Sequence, residues 1–125
     1  MVFRKESLRK SEHDGFCGGD GITYQLHFLE KEQAFGAGKV FCIARQEPGT
    51  SVGLHTHTEN IEVYYILKGQ ALVTDDGEEK TMHAGDVMVT PIGHSHSMLA
   101  VGPEDLEYIT LIIYENPTMM EKLGL

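Results

Sequence analysis

Punctuation is what most constrains the fold of this chain. Short β-type stretches follow one another from residue 22 to residue 115, half of them closed by glycine, proline or aspartate. The series runs "ITYQLHFL" (22–29), "KVFCIARQ" (39–46), "IEVYYILK" (61–68), "QALVTD" (70–75), "EEKTMH" (78–83), "VMVTP" (87–91), "HSHSMLAV" (94–101) and "LEYITLIIYE" (106–115). Gly69, the Asp75–Gly77 hairpin signal, Gly85 and Pro91 mark the breaks. Strands this short, with turn signals about every 8–12 residues, predict an all-β barrel or sandwich. Fourteen glycines suit a fold with many tight turns.

Helical signals are confined to the end. Asn116 as N-cap and Pro117 at the first helical position predict a short C-terminal turn of helix. The chain therefore divides into an N-terminal arm with a Gly-rich loop (1–21), a barrel (22–115) and a tail (116–125). "DGFCGGDG" (14–21) reads as a mobile segment. It lacks the Lys-Ser/Thr and the strand-to-helix context of a phosphate loop.

With 125 residues the chain has the length of one domain, enough for one core. Its formal net charge is −9, with only ten Lys and Arg, so the footprint for nucleic acid is missing. No apolar run reaches the ~18 residues of a membrane span, and the start carries no secretory pattern. The expectation is a cytoplasmic protein. Cys17 and Cys42 are too far apart for a CxxC motif; Cys42 reads as a buried thiol and Cys17 as a loop thiol.

Chemistry concentrates in "VGLHTHTENIE" (52–62) and "TPIGHSHSM" (90–98). His55 and His57 are two apart, so on a strand both imidazoles face one way and can share an ion. Glu62 starts the next strand and can join them, whereas Glu59 lies in the turn and faces water. His94 and His96 repeat the spacing after a Pro-Gly turn, and one of the two can close the site from a neighbouring strand. Two His-x-His pairs at strand starts in one small β domain are hard to explain as scattered surface histidines.

The pattern resembles the cupins. Their first motif is G, five residues, H-x-H, three or four residues, E, six residues, G; here it is met by Gly49, His55, His57, Glu62 and Gly69. Their second is G, five residues, P-x-G, two residues, H, three residues, N; here it is met by Gly85, Pro91, Gly93 and His96, with Ala100 in place of the final Asn. The resemblance implies a double-stranded β-helix (jelly-roll) barrel with metal ligands His55, His57, Glu62 and His96. It leaves His94 as a hydrogen-bond partner behind a ligand or as a residue of the rim.

Three imidazoles and one carboxylate suit a single divalent transition ion (Mn, Fe, Co, Ni, Cu or Zn) better than Ca or Mg. Four protein ligands leave about two octahedral positions open for a small molecule. Parity extends the pocket: if Glu62 points inward, so do Tyr64, Ile66 and Lys68, while Met98 shares the face of His96. Tyr64 and Met98 are thus candidates for the wall. Arg45 and Gln25 are candidates for an anionic substrate, on strands whose inward face the sequence leaves open.

Two functions compete. One is a metal-dependent enzyme on a small oxygen-rich molecule, a carboxylate, dicarbonyl or sugar; the resemblance allows a dioxygenase, isomerase, decarboxylase or lyase. The other is a small-molecule or sugar binding module without chemistry. Val63, Tyr65, Leu67 and the "ITLII" run (109–113) offer more apolar surface than one barrel interior needs, which predicts a homodimer.

Overall fold

Ten strands and one short helix carry the chain in the computed structural model, which describes residues 1–125. In order they are β1 (Lys10–Asp14), β2 (Ile22–His27), β3 (Gly38–Gln46), β4 (Ser51–Thr56), β5 (Asn60–Lys68), β6 (Gln70–Asp75), β7 (Glu78–His83), β8 (Val87–Thr90), β9 (Ser95–Ala100), β10 (Leu106–Tyr114) and α1 (Pro117–Lys122). All ladders are antiparallel. They form a six-stranded sheet, β1-β2-β3-β10-β5-β8, and a four-stranded sheet, β4-β9-β6-β7. This is the all-β, two-sheet architecture that the punctuation predicts. The end of the chain also follows the sequence: Met119 N–H donates to the Asn116 side chain at 3.0 Å, capping α1.

The segment expected to be an arm is part of a sheet. β1 pairs with β2 from Lys10 opposite Leu26 to Asp14 opposite Ile22. "KSEHD" is polar on both faces, so no apolar alternation reveals it as a strand.

Inward and outward positions alternate as a two-residue period requires. On β5 Asn60, Glu62, Tyr64 and Ile66 are buried, and on β10 Leu106, Tyr108, Thr110 and Ile112 are. Lys68 does not follow its parity; a register shift between Glu107 and Tyr108 ends the regular pairing there, and Lys68 is exposed beside Glu104 at 3.8 Å. The core joins both sheets through Ile66, Val73, Met82, Met98, Leu106 and Tyr108.

β4 contains the break that makes the site. Val52 pairs with Met98 in the core, but the next aligned pair is His55 opposite His96. Gly53 and Leu54 form a bulge in between, and Leu54 turns outward. On an unbroken strand an inward Val52 would force His55 outward. The bulge shifts parity by one, so Val52 serves the core and His55 and His57 serve the site.

The Gly-rich loop packs onto that bulge. A Cβ on Gly53 would collide with the Cys17 carbonyl, and one on Gly19 with the Ser51 carbonyl. Glycine at both positions lets residues 16–19 lie directly on β4, placing Phe16 against the core.

Candidate metal centre

Each of the three histidine rings is held from behind. The His55 Nδ1–H donates to the Gly53 carbonyl at 2.7 Å, so the bulge also orients the ring. His57 Nδ1–H donates to Asn60 Oδ1 at 2.7 Å, and its backbone exchanges hydrogen bonds with the turn that precedes His96 (His57 N–H to His94 O, 3.0 Å; Gly93 N–H to His57 O, 2.6 Å). His96 Nδ1 bonds the Thr90 hydroxyl at 2.7 Å. A ring whose Nδ1–H faces a carbonyl presents a bare Nε2 lone pair on its other side.

These lone pairs converge. His96 Nε2 lies 3.1 Å from His57 Nε2 and 3.0 Å from His55 Nε2. Glu62 Oε1 lies 2.9 Å from His96 Nε2, 3.2 Å from His57 Nε2 and 3.9 Å from His55 Nε2. Ligand atoms about 2.1 Å from one ion would stand about 3.0 Å apart along an octahedral edge and about 3.4 Å apart along a tetrahedral one. Four of the five separations match the octahedral edge. The donor set thus fits a transition ion with further positions free.

Electrostatics agree. Burial pushes the Glu62 carboxyl up, but the His57 and His96 rings beside it outweigh burial and hold the group at about 2. The hydrogen bond to Glu62 raises His57 above its ordinary 6.5, while burial lowers His55 below it. Burial, reinforced by the Glu62 charge, pushes Tyr64 and Tyr108 well above 10, so both hydroxyls stay neutral. The focus of the site is a concentration of lone pairs and negative charge that a cation stabilises.

The motif residues His55, His57, Glu62 and His96 come together in one cluster. The remaining sequence candidates divide. Tyr64 lines the cavity of about 220 Å³ that opens on the cluster, and its ring stacks on His96 at 5.0 Å and 12°. Gln25 also lines it. Met98 faces inward but lies in the core and not along the cavity. Arg45 faces outward, stacked over Tyr24 at 4.4 Å and paired with Asp105 at 3.1 Å. His94 is half-exposed, 3.6 Å from Asp76, and joins neither the cluster nor its cavity. Glu59 is exposed, as its place in the turn implied.

Sequence reasoning missed Asn60, Thr90 and the Gly53 carbonyl, which orient the rings, and Lys39 and Thr110, which line the cavity. Asn60 was within reach of parity, two residues before Glu62. Thr90 was not, because its role depends on β8 pairing with β5, where Thr90 stands opposite Glu62.

Residues 30–114 match the family model for the cupin domain. The chain is a cupin. It is similar to an oxalate-binding protein of Thermotoga maritima, 37% identical over 113 residues that span 90% of this chain and 93% of that one. A solved structure of a predicted oxalate decarboxylase from T. maritima superposes with a TM-score of 0.87 at 36% identity, covering 92% of this cupin and all of that chain. Quercetin 2,3-dioxygenase of Bacillus subtilis is 30% identical over 91 residues, which cover 72% of this cupin but 26% of that larger protein. The cluster of three histidines and Glu62 thus lies in a small single-domain cupin, similar to a protein named for oxalate binding. No helix is long and apolar enough to cross a membrane.

Proposed function

We propose that this cupin is a metal-dependent enzyme on a small carboxylate of the oxalate class. It would hold one divalent transition ion on His55, His57, Glu62 and His96. The observation that carries the reading is the convergence of three Nε2 atoms, 3.0–3.1 Å apart along two edges, on the same focus as the Glu62 carboxylate. Such an ion supplies Lewis acidity and open positions for substrate oxygens. The protein's own residues do the remainder. Asn60, Thr90 and the Gly53 carbonyl fix the rings, Glu62 stays ionised, and Tyr64 and Phe16 wall the cavity. Cavity size argues for a small ligand: about 220 Å³ is room for roughly seven water-sized groups.

One observation favours the reading without chemistry, a carboxylate-binding module. Glu62 is the only carboxyl group lining the cavity, and it is committed to the cluster, so no second carboxylate is free as an acid or base. Calorimetry with manganese-loaded protein separates these readings from failure of both. Oxalate heats present with manganese and absent after chelation support the metal-dependent site; heats unaffected by chelation contradict it. Formate or carbon dioxide released from bound oxalate marks the enzyme, and binding without release marks the module. We place the protein in the cytoplasm, where its two free thiols stay reduced.

A further inference from the structure

The cavity has a second wall that the metal ligands do not explain. Three buried polar atoms have no hydrogen-bond partner in the protein: Thr23 Oγ1, Gln46 Oε1 and Thr110 Oγ1. Only Thr110 lines the cavity. Its residue is 3% exposed and sits on β10 between Cys42 and Tyr64, where neighbouring strands supply no partner. A buried hydroxyl without a partner is rare in a folded protein, and this one borders the cavity, where a ligand can supply the missing bond.

Two further donors line the same cavity. Gln25 has its carbonyl occupied twice, by the Ser11 hydroxyl at 3.1 Å and by His13 Nε2–H at 3.0 Å. That fixes the amide and leaves its N–H groups unspent. Lys39 is the one Lys or Arg lining the cavity, and no carboxylate lies within 4.0 Å of its ammonium.

We propose that Thr110, Gln25 and Lys39 form an anion-recognition subsite that takes the outer oxygens of a ligand whose inner oxygens face the metal ligands. All three groups donate hydrogen bonds, and one is cationic, so the subsite selects a second carboxylate and rejects an apolar tail. The preferred ligand is a short dianion and not a monocarboxylate. This inference rests on the metal-dependent reading above.

The test uses the full chain loaded with manganese and titrated with oxalate and with its monoamide, oxamate, which has similar shape and one charge fewer. Wild type should bind oxalate more tightly than oxamate. Lys39→Met should weaken oxalate by about tenfold or more and erase most of the preference, and Thr110→Val should weaken both, with manganese content unchanged. In chelated protein Thr110→Val should leave the melting temperature unchanged or raise it, because it removes an unpartnered hydroxyl. Variants that bind oxalate like wild type, or a Thr110→Val protein that melts several degrees lower, overturn the subsite alone. Wild type that takes up manganese but not oxalate overturns the carboxylate reading with it.

Discussion

At the scale of single residues, the site is a problem of orientation. A lone imidazole on a strand end can rotate; each of these three has its Nδ1 held at 2.7 Å by a different kind of group, a carbonyl, an amide and a hydroxyl. Groups that hold a ligand ring from behind typically change metal affinity by about 10–100-fold when removed. Thr90→Val should therefore lower manganese affinity by that factor while leaving the circular dichroism spectrum intact. Acidification should do the same reversibly, because protons and metal compete for the same lone pairs. His57, raised by Glu62, takes up a proton at higher pH than His55, which burial lowers. Affinity measured by competition with a pH-insensitive dye should fall continuously from just above pH 6.5 downward. Affinity that is flat from pH 7.5 to 5.5 would show that these imidazoles are not ligands. That His55, His57 and Glu62 meet was legible from spacing, whereas the choice of His96 over His94 as the fourth member of the cluster came from the resemblance to the cupins. Lys39 and Thr110 were not legible, since nothing in "GKVFC" or "YITLI" says which residue meets a cavity until the register between β3 and β10 is known.

At the scale of elements, β4 decides whether core and site can share one strand. Its bulge lets an even-numbered valine and two odd-numbered histidines face inward together. Sequence parity paired His55 with His57 correctly, yet gave no sign that Val52 would join them, because a bulge has no alternation pattern of its own. The loop expected to be mobile provides the reason for the bulge's glycine. Residues 16–19 press on β4 so closely that Gly53 has no room for a side chain. Gly53→Ala should cost about 1–3 kcal/mol in chemical denaturation by forcing backbone apart. It should also weaken metal binding, since the Gly53 carbonyl holds His55. An equally stable variant with full metal affinity would contradict the close packing. β1 is the element the sequence concealed. A strand of alternating polar residues at a sheet edge resembles a charged arm until its partner is seen.

At the scale of the whole molecule, the outer face of the six-stranded sheet remains to be accounted for. Val89 stands opposite Val63, Val63 opposite Leu111 and Leu111 opposite Phe41; beside them run Val87, Tyr65, Ile109 and Ile43. Tyr65 and Leu67 are each 40% exposed, Val87 55% and Val89 50%. An apolar band across four strands suits a second copy of the same face, as a homodimer requires. We expect light scattering at micromolar concentration to give twice the chain mass, and Tyr65→Lys with Val89→Lys to give one. Wild type at single-chain mass would refute the dimer without touching the site. Metal binding is measured most directly by elemental analysis of untagged protein, reconstituted with Mn, Fe, Co, Ni, Cu or Zn and desalted. About one equivalent of an ion should remain on wild type, with less than about a tenth on His57→Ala or Glu62→Gln, as expected of a four-ligand site. Wild type that retains none of the six ions would contradict it.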